Sequence, residues 1–411
     1  MTEPALLYRI QRLQSEAKED AEALLLKFVN ETFPSLDVVS LTLRPQAISL
    51  NSFNGFLALG DGSQLFFKTH VEQDNVISEY YNAEMLAAAG YPVIRPLYSS
   101  KRSDQQLLIY PIIHAPSVFD VARSAELAGA FGSEDVQRLI EAQIRSDEEL
   151  LRCYQASFQP RASSDPNAPI HQLFWHRLTG GRFERFYNDY ANFTLPHGDF
   201  QSSAVFRVQW QINDSDYTNS LTELVGRAIK LLDPAETQEA TIIGHGDAHN
   251  GNVFLTEAGL VYFDPAFAGR HSPLLDLVKP LFHNVFAMWM YFPDEESARF
   301  DITADEQDGR WHIRHNYDLN PLRRVFFDSK FDRVFIPVLQ HLKAQHALQP
   351  DWRECVKLAL MCCPLLTMNL TAFPPKIALL GLCFTVEMGA ESGGVRSFID
   401  QALDRAEAAL A

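Results

Sequence analysis

The sequence predicts an α+β protein of two unequal lobes, a small mixed lobe with an antiparallel sheet followed by a larger, mainly helical one. Three observations lead there. Residues 38–110 read as strand, strand, strand, helix, strand, strand; helical spacing dominates from Pro111 onward; and 411 residues leave room for two or three domains. The boundaries are N-terminal helices over 1–37, a first lobe over 38–110, and a second lobe with a helical extension over 111–411.

The elements follow in order. Leu, Ile, Phe and Val recur at helical spacing over 5–32, with a break near 16–20, which predicts one or two amphipathic packing helices. Over 38–69 short β-rich runs are punctuated by Asn51, Gly55 and the turn Gly60-Asp61-Gly62, the pattern of successive antiparallel strands. A helix over about 74–89 stops at Gly90, with Pro92 just beyond. Two strands are expected near 94–98 and 106–110. In the second lobe, Pro, Ser, Asp and Asn mark a loop at 159–169, and 193–216 reads as a second irregular stretch. The run Phe174-Trp175-His176-Arg177-Leu178 before Gly180-Gly181 reads as a helix end with core aromatics, and the acidic segments 294–296 and 301–308 as solvated loop.

Composition narrows the function classes. Apolar residues make up 46% and charged residues 21%, ordinary globular usage that excludes a disordered, collagenous or coiled-coil chain. With 35 Lys+Arg against 52 Asp+Glu the formal charge is −17, which argues against nucleic acid or an anionic membrane as partner and favours a neutral or cationic small molecule. Five cysteines without a CxxC pair read as reduced thiols in a cytoplasmic protein. The uncharged run 358–375 and the apolar run 377–386 are interrupted by Pro364, Asn369 and Pro374-Pro375, so they read as buried helices and not as a membrane hairpin. Oligomeric state has no signature in the sequence.

The chemistry concentrates in Gly244-His245-Gly246-Asp247-Ala248-His249-Asn250-Gly251-Asn252, followed by Phe263-Asp264-Pro265. A short β run delivers Asp247 into a tight loop, Asn252 follows five residues later, and Asp264 ends the returning strand. Phosphoryl transfer calls for this set: one carboxylate to orient the attacking hydroxyl and take its proton, and an amide oxygen and a second carboxylate to hold Mg²⁺ on nucleotide phosphates. Asp-x4-Asn is also the spacing of the protein-kinase catalytic loop.

This motif, with Gly269 and Asp276-Leu277 after it, resembles the aminoglycoside phosphotransferase and choline kinase family, small-molecule relatives of the protein kinases. The resemblance matches in order and spacing over 244–277 and extends over about 38–286. It implies a bilobal protein-kinase-like fold and an ATP- and Mg²⁺-dependent enzyme, with Asp247 as base and Asn252 and Asp264 as metal ligands. It further implies that Lys68 pairs with Glu79 (or Glu84) to position the phosphates, with Phe66 on the same strand face as Lys68. The loop 50–55, Ser52 within it, would cover the phosphates, and the Tyr110 carbonyl and Ile112 N–H would read adenine. Asn250 stands where the family commonly has Pro. His249 is expected to brace the loop, and Asp276 to brace it through backbone N–H groups. Asp264-Pro265-Ala266-Phe267 looks like the sugar-phosphorylating branches, which implies a sugar or amino-sugar acceptor. The alternatives are a choline- or aminoglycoside-type kinase and a catalytically inactive nucleotide-binding regulator. A second His-Gly-Asp, His197-Gly198-Asp199, has Ala at 204 where the Asn belongs and is rejected as catalytic.

Overall fold

The computed structural model describes residues 6–44, 52–70, 79–100, 107–163, 165–235 and 238–411. The chain divides into two compact units: one formed by 1–88, 92–115 and 261–266, the other by 89–91, 116–260 and 267–411.

In the first unit helices α1 (Leu6–Glu16) and α2 (Lys18–Thr32) lead into strands β1 (Val38–Arg44), β2 (Ser52–Leu59) and β3 (Gln64–His70). Helix α3 (Glu79–Ala88) and strands β4 (Tyr98–Ser100) and β5 (Leu107–Pro111) complete it. The five strands form an antiparallel sheet in the order β1-β2-β3-β5-β4. Alternation along β1 puts Val38, Leu41 and Leu43 beneath α1 and α2, where they meet Ile10, Leu25, Phe28 and Val29, so the leading helices cover one face of this sheet. The expected strand at 94–98 is shorter and later. Only Val93 bridges to Tyr262 there, and β4 begins at Tyr98.

The second unit is helical around small sheets. Helix α4 (Val118–Ala128) is capped by Ser117, whose hydroxyl accepts the Asp120 N–H, and ends on Gly129 in the left-handed region. Helix α5 (Glu134–Ser157) follows Ser133 in the same way. The helices Trp352–Thr367 and Pro375–Gly389 pack against each other, and the first of them also against Pro273–His283, every residue of which is buried. Residues 358–366 and 377–386 are therefore core, and no described helix is long and apolar enough to cross a membrane.

Four expectations for this unit are corrected. Residues 159–163 are not loop but a strand paired with Gln238–Gly244, which pairs on its other side with Gly269–His271. The stretch 193–216 contains two hairpins, Asn192–Leu195 with Gly198–Gln201 and Gln209–Ile212 with Ser215–Tyr217. Residues 302–307 pair with Arg310–His315, so polar side chains there decorate a strand. The acidic 294–296 is helical, and Glu295 and Glu296 both bind the buried Arg123 guanidinium, an ion-pair demand that sequence polarity does not reveal. The five cysteines are free thiols.

Candidate active site

In the second unit the strand Gln238–Gly244 feeds the loop carrying Asp247, and backbone geometry fixes the glycines before it. A Cβ on Gly244 would lie 2.5 Å from His271 Nε2 and 2.6 Å from the Asp276 carboxylate. Gly246 has φ +78, and a Cβ there would meet the Phe267 carbonyl oxygen at 2.4 Å. Behind the loop stands Asp276. Its Oδ1 accepts the Gly246 N–H at 2.5 Å and contacts His271 Nε2 at 2.8 Å, while the Tyr154 hydroxyl donates to Oδ2. Burial works against the charge on Asp276, but His271, Tyr154 and the Gly246 amide hold its carboxyl below the usual range. This is the bracing role expected of it.

The loop closes with a 3-10 turn, Asn250–Asn252, capped by His249, whose Nδ1 accepts the Gly251 N–H at 3.1 Å. His249 is thus a loop brace. Asn250, where a Pro is common in the resembled family, uses the N–H that Pro lacks: it donates to Asn284 Oδ1 at 2.7 Å.

Asp247 itself is 16% exposed, with Oδ1 3.6 Å from Lys279 Nζ and Oδ2 3.9 Å from His249 Nε2. Oδ1 is buried and accepts no hydrogen bond among the described residues. Burial opposes ionisation, yet Lys279, His249, Arg177 and His245 together hold the carboxyl below its ordinary value, so Asp247 is an anion at neutral pH. Lys279 also lies 2.8 Å from His283 Nε2, and His283 Nδ1 lies 2.7 Å from the Tyr291 hydroxyl. Burial first, then the charge of Lys279, keeps His283 neutral, so Nε2 accepts from Lys279 and Nδ1–H donates to Tyr291.

Asn252 donates from Nδ2 to the Asp247 backbone carbonyl at 3.0 Å, which anchors the amide nitrogen and turns its oxygen outward. An amide oxygen so presented suits a hard cation.

The remaining predicted residues belong to the first unit. Asp264 lies just past the strand Gly259–Tyr262 with φ +56, a left-handed conformation that Asp tolerates better than most residues and that is often found at functional positions. Its carboxylate is 30% exposed, and Oδ1 pairs with Lys68 on β3. The Asp264 carboxylate, like the Asn252 amide, is an oxygen donor of the kind that a hard cation takes. Lys68 is 7% exposed and stands opposite Asn54 on β2 and Leu108 on β5. Phe66 does not stand alone beside it: its ring meets Phe56, Tyr110 and Phe263 at 5.9, 6.5 and 6.0 Å. Glu79 opens α3, and its side chain lies outside the described residues. Glu84 pairs with Arg95 at 3.3 Å and is half-exposed, so it is not the partner of Lys68.

Ser52 sits in β2 opposite His70 and not in a loop, because the ladder to β3 extends that far. Its side chain, and the loop residues Leu50 and Asn51, lie outside the described residues. Tyr110 is 1% exposed and pairs with Phe66 on β3, and the β4 register ends at Ile109, before Tyr110 and Ile112.

Of the predicted residues, the structure joins Lys68 to Asp264 and Asp247 to Asn252. Sequence reasoning missed Lys279, His283, Tyr291 and Arg177. Asp276, Lys279 and His283 fall at i, i+3 and i+7, one face of a helix, and that spacing was available. Arg177 is remote in sequence, and nothing local announces it. The second His-Gly-Asp lies on a hairpin, with His197 packed 4.6 Å from the Trp311 ring and Asp199 exposed. Trp289 and Trp311 are buried in the core.

No family model matches the chain, and no curated protein does. Among solved structures it is similar to a thermostable mutant of the aminoglycoside phosphotransferase APH(4)-Ia in a ternary complex with ADP and hygromycin B. That likeness has 12% identity and a TM-score of 0.48, and covers 89% of this chain and 97% of the other. It is also similar to an amicoumacin kinase in complex with AMP-PNP and Ca²⁺, at 13% identity and TM-score 0.47, covering 88% and 92% of the two chains. A Plasmodium vivax ethanolamine kinase is similar at 10% identity and TM-score 0.42, covering 98% and 94%.

Proposed function

We propose that this chain is an ATP- and Mg²⁺-dependent phosphotransferase that moves the γ-phosphoryl group to a hydroxyl of a small molecule, a sugar or amino sugar. One observation carries the reading: Asp247 is a partly buried, ionised carboxylate whose buried Oδ1 accepts no hydrogen bond among the described residues, held on a braced loop with Asn252 five residues on. An unsatisfied anionic acceptor is costly unless a substrate donor completes it, and an acceptor hydroxyl is such a donor.

The roles follow residue by residue. Asp247 Oδ1 takes the hydrogen bond of the acceptor O–H and so orients its oxygen toward the γ-phosphorus. As the new P–O bond forms, the bond from the γ-phosphorus to the β,γ-bridging oxygen breaks, ADP leaves with the electron pair, and the hydroxyl proton passes to Asp247. A carboxylate held below its usual pKa is a weak base. It therefore serves mainly by orientation, taking the proton late, which suits a loose phosphoryl transition state. Lys68 places positive charge for the nucleotide phosphates, while Asn252 and Asp264 are the residues that would hold Mg²⁺. Once bound, Mg²⁺ neutralises charge developing on the phosphates. Backbone groups of Tyr110 and Ile112 are assigned to adenine.

ATP turnover with Mg²⁺ against hexoses, sugar acids, amino sugars, pentoses and choline tests the reading. Acceptor-dependent ADP release that Asp247→Asn abolishes supports it. Activity confined to choline or ethanolamine would reject the sugar acceptor, and ATP left intact by the whole panel would reject the enzyme.

A further inference from the structure

The second unit holds a cavity of about 500 Å³ that the phosphotransferase reading leaves unused. The helices Leu221–Leu231, Pro273–His283 and Trp352–Thr367 contribute to its lining, and none of Asp247, His249, Asn252, Lys279 and His283 does. Its volume falls in the range of small-molecule sites, roughly 300 to 1,000 Å³. Leu231, Ala240, Leu274, Leu342 and Trp352 make the walls largely apolar.

One polar group in that lining is unsatisfied. Ser272, the N-cap of the helix Pro273–His283, is 5% exposed, yet its hydroxyl caps no backbone N–H and has no hydrogen-bond partner among the described residues. An N-cap serine ordinarily accepts an N–H from the first turn. Here Pro273 brings no N–H, and those of Leu274 and Leu275 come too early to find an acceptor within the helix. A buried hydroxyl beside free amides, at the positive end of a helix dipole, suits a carboxylate. Asp276, the acid of the first turn, does not fill that place, because its oxygens are engaged by Gly246, His271 and Tyr154. The other charged lining residues balance: Arg227 pairs with Glu354 at 2.6 Å, and the exposed Lys230 and Asp351 are of opposite sign. They select no charge, so the helix start decides the head group.

We propose that this cavity is a second ligand site, for a small apolar molecule ending in a carboxylate. Ser272 and the first-turn amides of the helix Pro273–His283 receive the head group, and the apolar body fills the space between Leu231, Leu342 and Trp352. The site goes beyond phosphoryl transfer and does not depend on it. It lies at the start of the helix whose Asp276 holds the Gly246 N–H.

Calorimetric titration of octanoate and of 3-phenylpropanoate into the full chain tests it, each acid beside its amide and its amine. At least one acid should bind saturably at a single site, with the matching amide and amine about tenfold weaker or more, as the loss of charge-assisted hydrogen bonds gives. Ser272→Ala should weaken that acid about tenfold and leave the melting temperature of the unliganded protein unchanged, because the hydroxyl caps nothing. Ala347→Trp, at a half-buried lining position, fills the cavity and should abolish binding. Asp247→Asn should bind the acid as the parent does, which separates this site from that of the phosphoryl acceptor. Loss of binding in Asp247→Asn would overturn the proposal and move the acid to the acceptor site. No saturable binding of either acid, equal binding of the amide or amine, or parent-like binding in Ser272→Ala or Ala347→Trp would overturn it as well.

Discussion

Lys279 Nζ lies 3.6 Å from Asp247 Oδ1 and 2.8 Å from His283 Nε2, so one buried ammonium links the proposed base to a neutral histidine. Burial alone would raise the Asp247 pKa, and Lys279 is the largest influence holding it down. Replacing Lys279 with Met removes that influence. The active form is the carboxylate, so the acid limb of kcat/KM should move to higher pH, with activity falling in mildly acidic buffer where the parent still works. A pH–rate profile checks this; an unmoved acid limb would show that Lys279 does not tune Asp247.

Asp247→Asn should lower kcat by about a thousandfold or more while leaving ATP affinity nearly intact, because Oδ1 is assigned to the acceptor and not to the nucleotide. Asp264→Ala should behave oppositely, weakening ATP binding in Mg²⁺, since it removes a charged oxygen donor and the partner of Lys68. Calorimetric titration of ATP into both variants separates the roles. Parent-like ATP affinity in Asp264→Ala would remove Asp264 from the metal set.

Asp199→Asn should change kcat/KM by no more than about twofold, the usual scale for an exposed polar substitution away from a site. The hairpin holding Asp199 presents it to solvent, and Gly198 supplies the turn with φ +146. Steady-state kinetics beside Asp247→Asn decides the matter: comparable losses at both positions would mean that the wrong His-Gly-Asp was chosen.

What the sequence disclosed follows from where its signals are local. The strand alternation of β1 to β3, the stop at Gly90 and the Asp247-x4-Asn252 spacing are short-range patterns, and each has its counterpart in the structure. The bracing of Gly246 by Asp276 was legible because the motif carries both residues. Arg177 was not, since a lone Arg among Trp175, His176 and Leu178 reads as a helix end, and its influence on the Asp247 carboxyl comes from a segment remote in sequence. The same limit hid Arg123 with Glu295 and Glu296, whose polar sequence looked like loop until a buried guanidinium required partners. The hairpins within 193–216 escaped because their strands are so short: Asn192–Leu195 and Gln209–Ile212 alternate over only a few positions, and Gly198–Gln201 does not alternate.

Glu387, on the helix Pro375–Gly389, offers a stability test independent of catalysis. Burial raises its carboxyl to about 7; Lys357 pulls it down only in part, because Lys357 forms its ion pair with Asp400 and gives Glu387 only a hydrogen bond to the backbone carbonyl at 3.3 Å. A folded-state pKa above the unfolded value means that the folded state binds the proton more tightly. The stabilisation is therefore full below about pH 4.5 and is lost as pH rises through about 7, amounting to at most about 3 kcal/mol at the scale of 1.36 kcal/mol per pH unit. Gln mimics the protonated carboxyl, so Glu387→Gln should leave the melting temperature unchanged near pH 4 and raise it by several degrees at pH 8. Thermal unfolding of both proteins across this range is the measurement. A variant equally or less stable at pH 8 would show that Glu387 is charged without cost in the folded state, and that the helix tolerates the anion.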